Sequence, residues 1–255
     1  MSQDVQETRE KINQLAQDYG YSKFMIKELM VNFPKDYLGV IRAFDRPPLT
    51  TIRTNTLQIE PSELKARLED KGFSLRETKW IDYGFIVNAS KSKFSIGATH
   101  EYLLGYYYIQ DFASMIPVHL LAPQPGDNVL DMCAAPGGKT THIGQMMEGK
   151  GTLVATDVNK ARMKSLISNV NRCGLENCVI FPWDGRKLDR VPKIQNWPNK
   201  ILLDAPCTGS GVIRKDPSRK SSRNLDDVKQ MAEIQKQLLR TALSIVKPGG
   251  LVMYS

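Results

Sequence analysis

A carboxylate and a thiol stand three residues apart in Leu202-Leu203-Asp204-Ala205-Pro206-Cys207-Thr208-Gly209-Ser210-Gly211. The apolar run reads as a strand and the glycine-rich stretch as the loop that leaves it. An acid and a thiol together on such a loop suit covalent chemistry on a heterocycle. A lone cysteine is ordinarily a small buried hydrophobe, but a Pro-Cys-Thr-Gly-Ser-Gly loop would carry this one to the mouth of a cleft.

Asp204 is one of four aspartates, with Asp131, Asp157 and Asp184, that close successive apolar runs. Any one of them could simply cap a helix. Four in register mark the carboxyl edge of an open α/β sheet, where ligands bind. Between the first two lies Cys133-Ala134-Ala135-Pro136-Gly137-Gly138-Lys139-Thr140. Its glycines let backbone approach a ligand, and the turn can present free N–H groups. Asp157 follows Gly138 by nineteen residues, close to the spacing of a carboxylate that accepts from ribose hydroxyls. An adenosine-containing cofactor is the expectation. The dinucleotide pattern G-x-G-x-x-G is absent. Gly138-Lys139-Thr140 resembles the end of a phosphate-binding loop, but Cys133 stands where such a loop has its first glycine. A P-loop-like NTPase therefore stays as a rival enzyme class.

These residues need a scaffold, and the pattern supplies one. Strands are expected at 129–133, 151–157, 178–184, 200–206 and 251–255, with helices at 139–147, 160–172 and 225–246. Ahead of them, 49–98 reads as a small α+β module: a β-branched strand at 49–57, a helix at 62–72 and short strands near 73–75 and 84–87. Two short amphipathic helices fit 3–30. The aromatics Tyr102, Tyr106, Tyr107 and Tyr108 could stack on bases, although core packing is their more ordinary use.

The 255 residues carry a net charge of +8, which favours an anionic partner such as nucleic acid. The excess is +2 in residues 1–98 and +6 in 99–255. Just beyond the Asp204 loop, Arg214, Lys215, Arg219, Lys220 and Arg223 crowd into ten residues with one acid, Asp216. Runs of this kind are usually solvated; beside a ligand cleft this one is expected to touch phosphates. The four cysteines form no Cys-x-x-Cys pair, so neither a disulfide framework nor a metal site is expected. No signal peptide or membrane-spanning run is read, and a soluble cytoplasmic protein is the expectation.

With Asp131 to Thr140 and Asp204 to Gly211 in view, the chain resembles the Nop/Sun family of RNA cytosine-5 methyltransferases, most of all its archaeal tRNA-type members. The resemblance runs from Ile52-Arg53-Thr54-Asn55-Thr56-Leu57, through 105–111, to the last residue. It implies S-adenosylmethionine as cofactor and a class I (Rossmann-like) methyltransferase sheet. Cys133, Ala134, Ala135, Pro136, Gly137, Gly138 and Lys139 would wrap its methionine and ribose. Asp157 would take the ribose hydroxyls, with Arg162 nearby, and Asp184 would lie by the adenine. Asp204 would sit near the methyl sulfonium and the target base, with Lys139 and Cys207 completing the catalytic group. The implied substrate is tRNA, with rRNA as alternative, and the N-terminal region would bind it, Arg53 included. In the implied chemistry a thiolate adds to cytosine C6, making C5 nucleophilic, while an acid hydrogen-bonds N3. The base must be unstacked to be reached.

One departure matters. The family uses two cysteines: Cys207 matches the one that assists release, and the nucleophile follows a strand ending like Tyr254-Ser255. The resemblance thus implies a C-terminally truncated version of a longer protein, with the last strands of the sheet and the nucleophile beyond Ser255. Alternatively Cys207 is itself the nucleophile, as the Pro-Cys cysteine is in DNA cytosine-5 methyltransferases, or the chain binds RNA without catalysis. The expected organisation is an RNA-binding region over 1–98 and an incomplete methyltransferase domain over 99–255.

Overall fold

In a computed structural model that describes residues 3–89, 91–222 and 224–255, the N-terminal amphipathic stretch forms three helices: α1 (Gln3–Tyr19), α2 (Lys23–Asn32) and α3 (Tyr37–Asp45). Ser22 caps α2 by accepting from the Met25 N–H at 3.2 Å. The third helix was not expected from the sequence, where only the Asp45-Arg46-Pro47-Pro48 turn stood out; that turn is what ends it. Contacts divide the chain into two compact units, residues 1–48 with 206–235 and residues 49–205 with 236–255. In the first unit Leu15, Met25, Ile26, Leu29 and Ile41 bury their side chains with Ile213 of the second segment.

The second unit holds two sheets. The β-branched run gives β1 (Thr50–Thr54), followed by α4 (Pro61–Glu69), β2 (Ser74–Glu77) and β3 (Gly84–Asn88). After α5 (His100–Leu103), β4 (Tyr107–Ile109) completes an antiparallel sheet in the order β2-β3-β1-β4. β4 was hidden in the sequence by its tyrosines. Tyr107 is fully buried, so packing rather than base stacking is its role.

Helix α6 (Phe112–Leu121) leads to the α/β repeat: β5 (Asn128–Asp131), α7 (Gly138–Met146), β6 (Thr152–Asp157), α8 (Lys160–Arg172), β7 (Cys178–Pro182), β8 (Lys200–Leu203), α9 (Leu225–Ile245) and β9 (Leu251–Tyr254). All pairings are parallel, in the order β7-β6-β5-β8-β9. The chain winds outward from β5 through β6 to β7, then returns to place β8 on the other side of β5. That reversal puts the switch point of the sheet at the carboxyl end of β5, where open α/β sheets take their ligands. Val129, Leu153, Ala155 and Leu202 face Ile143, Leu166 and Val170 in the core beneath it. Among the described residues β9 has only β8 as neighbour, and Leu251 and Tyr254 on it are exposed.

Candidate active site

The glycine turn is built by packing on both sides. Gly137 has φ +106°, a conformation that disfavours side chains, and a Cβ there would stand 3.1 Å from Leu166. At Gly138, the first residue of α7, a Cβ would stand 3.2 Å from the Tyr108 ring. The Ala135–Pro136 peptide is cis. Asn169, on α8, reaches the turn through Nδ2, which donates to the Pro136 carbonyl at 3.0 Å.

Around this turn the structure gathers Asp131, Cys133, Lys139, Asp157 and Asp204 in the second unit. Lys139 donates to Asp204 Oδ2 at 2.6 Å, and the Ser255 hydroxyl donates to Oδ1 at 3.0 Å. A lysine engaged in this way is not free to grip a triphosphate, which disfavours the P-loop alternative. Asp131 is fully buried and accepts from the Thr140 hydroxyl at 2.8 Å. Burial first, and the Asp204 charge second, push its carboxyl up to about 7, against the Thr140 hydrogen bond and Lys139. The Cys133 thiol is pushed up to about 12, by burial and then by Asp131, Asp157 and Asp204. It stays a thiol at neutral pH and is no nucleophile.

Asp157 is buried at the end of β6. It accepts from the Ala135 N–H at 3.1 Å through Oδ2 and from the Asn159 N–H at 2.8 Å through Oδ1. Each oxygen keeps a second lone pair. Arg162 lies across it, Nη1 3.9 Å from Oδ2, and donates through Nη2 to the Ala135 carbonyl. Asp184 sits two residues beyond β7 and accepts from Arg186 at 3.0 and 2.8 Å. That hydrogen bonding holds its carboxyl below the usual range. Between the ends of β6 and β7 a cleft of about 270 Å³ is lined by Val158, Lys160, Pro182, Trp183, Asp184 and Lys187. Sequence reasoning missed Val158 and Trp183. The signal was available: each apolar residue adjoins one of the strand-end aspartates and has no core face to occupy.

Apolar walls, acceptors at Asp157 and Asp184, and a glycine turn at a helix N-terminus fit an adenosyl group carrying an amino-acid end. Among the described residues no cluster of three or more potential metal ligands occurs, and no helix is long and apolar enough to cross a membrane.

Cys207 belongs to the first unit, where it is exposed beside a 130 Å³ cleft lined also by Thr208, Asp227, Gln230 and Met231. Its loop is held from two directions. Gln235 donates to the Pro206 carbonyl at 2.8 Å, and Arg219 donates to the Thr208 carbonyl at 3.1 Å. Arg219 also pairs with Asp216 at 2.9 Å. The other cations of the basic run have internal partners too. Arg214 donates to the Arg46 carbonyl at 3.0 Å, and Lys220 pairs with Asp45 at 2.6 Å over the Tyr21 ring. Lys215 is exposed at the same loop, and Arg223 lies outside the described residues.

Arg53 requires a correction. Expected to contact RNA, it is fully buried on β1, and its guanidinium donates to Gln110, the Gly138 carbonyl and Thr141. A strand position facing the parallel sheet leaves no atom of it for a phosphate.

Residues 118–255 match the family described as 16S rRNA methyltransferase RsmB/F, and residues 23–112 match the N-terminal domain of 16S rRNA methyltransferase RsmF. A mouse 28S rRNA (cytosine-C(5))-methyltransferase is 41% identical over 246 residues, which is 94% of this chain and 30% of the relative. Ribosomal RNA small subunit methyltransferase F of Vibrio parahaemolyticus is 39% identical over 217 residues, 84% of this chain and 45% of the relative. The chain thus spans less than half the length of either. A crystal structure of a methyltransferase homolog protein from Pyrococcus horikoshii is 35% identical with a TM-score of 0.82, covering 95% of this chain and 75% of that one. The strand order, the glycine turn and these matches agree, and the chain belongs to the Nop/Sun methyltransferase family, the one described as RsmB/F, with its class I, Rossmann-like fold.

Proposed function

We propose that this protein methylates C5 of cytosine in RNA, with S-adenosylmethionine as methyl donor and ribosomal RNA as substrate. The observation that carries the reading is the Lys139–Asp204 pair at 2.6 Å, at the strand end that adjoins the glycine turn. The sequence put tRNA first. Ribosomal RNA moves ahead because the relatives at 39% and 41% identity carry rRNA names.

In this reading the cleft beside Trp183 takes the adenine, Asp157 accepts from the ribose hydroxyls, and the N–H groups of the Gly137–Gly138 turn face the methionine end. Bound there, S-adenosylmethionine supplies an electrophilic methyl on a sulfonium. Asp204 then serves the base: its carboxyl group hydrogen-bonds cytosine N3 as negative charge builds in the ring, and Lys139, 2.6 Å away, orients that carboxyl group. Cys207, the exposed one of the four cysteines, has release as its role: after a thiolate has added to cytosine C6 and C5 has taken the methyl, it assists removal of the C5 proton, so that the C5–C6 double bond re-forms and the C6–S bond breaks.

Asp157 gives the test. Asp157→Ala is expected to raise the dissociation constant for S-adenosylmethionine by about tenfold or more, since a hydrogen bond to a charged acceptor is lost. Isothermal calorimetry reads this directly. An unchanged constant would remove Asp157 from the ribose site.

A further inference from the structure

A buried cation lies behind the glycine turn with only neutral partners among the described residues. Arg53 has no exposed surface. Its Nη1 donates to Gln110 Oε1 and to the Gly138 carbonyl, both at 2.7 Å, and its Nη2 donates to Thr141 Oγ1 at 2.9 Å. Thr141 in turn has its own proton for the Gly137 carbonyl at 2.8 Å. The guanidinium also lies 5.6 Å from the centroid of Tyr108, the ring that abuts Gly138. Thus β1 and the segment around β4 send Arg53 and Tyr108 to Gly138, with Gln110 holding the guanidinium, and Thr141 carries the network on to the Gly137 carbonyl.

This arrangement is costly for stability alone. Burying a guanidinium without a carboxylate carries a large desolvation penalty. The position aggravates it, because the N-terminus of α7 is already the positive end of a helix dipole. Burial lowers the Arg53 pKa to about 10, which still leaves it charged at neutral pH. The carboxylates around the turn, Asp131, Asp157 and Asp204, bond to Thr140, Ala135 and Lys139, whereas the groups bonded to the guanidinium are Gln110, Gly138 and Thr141, which suits a turn whose remaining counter-charge arrives with the ligand.

We propose that Arg53 is a positioning residue of the cofactor site: it fixes the Gly137–Gly138 turn through Gly138 and Thr141 and sets an unneutralised positive charge behind it, so that the turn receives the carboxylate-bearing end of the cofactor. The inference rests on the reading that S-adenosylmethionine binds here. It predicts a split between the two ends of the ligand. The adenosine end lies with Asp157 and Trp183, out of reach of this network, whereas the amino-acid end depends on it.

The test compares calorimetric binding of S-adenosylmethionine with that of 5′-methylthioadenosine, which lacks the amino-acid end. Arg53→Met, which removes fork and charge at similar volume, is expected to weaken S-adenosylmethionine about tenfold or more and to leave methylthioadenosine within about threefold. Arg53→Lys keeps the charge without the fork and should fall between. Hydrogen exchange on the free protein gives a readout that needs no ligand: amides of residues 137–143 should exchange faster in Arg53→Met, with those of β6 and β7 unchanged. Should Arg53→Met fail to fold, Thr141→Val removes one arm of the network without changing volume, and should weaken S-adenosylmethionine selectively by a smaller factor. Equal losses for the two ligands, or none for either, would overturn the inference while leaving the cofactor reading intact. A wild-type chain that binds neither ligand would overturn both.

Discussion

Asp204→Asn is expected to slow methyl transfer by about 10³-fold at saturating cofactor and RNA, the scale on which a positioned acid or charge-stabilising group acts. The substitution keeps the shape of the side chain, and its amide can still meet Ser255, whose hydroxyl donates to Asp204 at 3.0 Å. What it loses is the carboxylate that pairs with Lys139, 2.6 Å away, and with it the charge and proton-exchanging group aimed at the base. Single-turnover rates under saturation separate this from binding. A fall in apparent affinity with an unchanged saturated rate would make Asp204 a binding residue only. Lys139→Met should reproduce most of the loss, and the double variant should be little worse than either single one, because the two act as a unit.

Gly105→Ala is expected to be the most destabilising glycine-to-alanine change among the described residues. Gly105 has φ +76°, and a Cβ there would lie 1.8 Å from the Arg172 carbonyl oxygen and 2.7 Å from its carbon. These are backbone atoms at the end of α8, so no side chain can swing aside. The same junction is tied by Asn55, whose Nδ2 donates to the carbonyls of Gly105 and Cys173, both at 2.9 Å. The left-handed backbone alone costs an alanine about 1 kcal/mol; overlap with fixed backbone takes the total to about 4 kcal/mol or more. Gly126→Ala is the control, since φ there is +91° but nothing lies within 4 Å of a Cβ. Urea denaturation should show a shift several times larger for Gly105→Ala than for Gly126→Ala. Equal shifts would mean that the close approach at Arg172 relaxes without cost.

The parallel sheet was legible because its strands are short apolar runs ended by Asp131, Asp157, Asp184 and Asp204, a pattern that period and punctuation expose directly. The glycine turn was legible for the same reason: few roles other than backbone approach demand Pro-Gly-Gly-Lys between strand and helix. β4 was not, since Tyr107 is recognisable as a strand residue only through its pairing with Thr54 on β1, a contact across some fifty residues of chain. Arg53 misled for a related reason. Arginine on a strand in a basic protein suggests phosphate, and what decides its role is the face on which Gly138 and Thr141 lie, which no local pattern encodes. The basic run shows the same limit. Lys220 and Arg219 read as free charges until Asp45, far away in sequence, and Asp216 are seen beside them. Pairing partners distant along the chain were the part that sequence could not disclose.

The claim that organises this account is that the site delivers a methyl group to carbon 5 of cytosine. Its most direct test is nucleoside mass spectrometry of unmodified ribosomal RNA incubated with S-adenosylmethionine and the protein. The account predicts 5-methylcytidine, absent without cofactor and lost in the Asp204→Asn variant. Methyl groups found on cytosine N4, on ribose or on another base, or no methylation under conditions where calorimetry shows the cofactor bound, would contradict it.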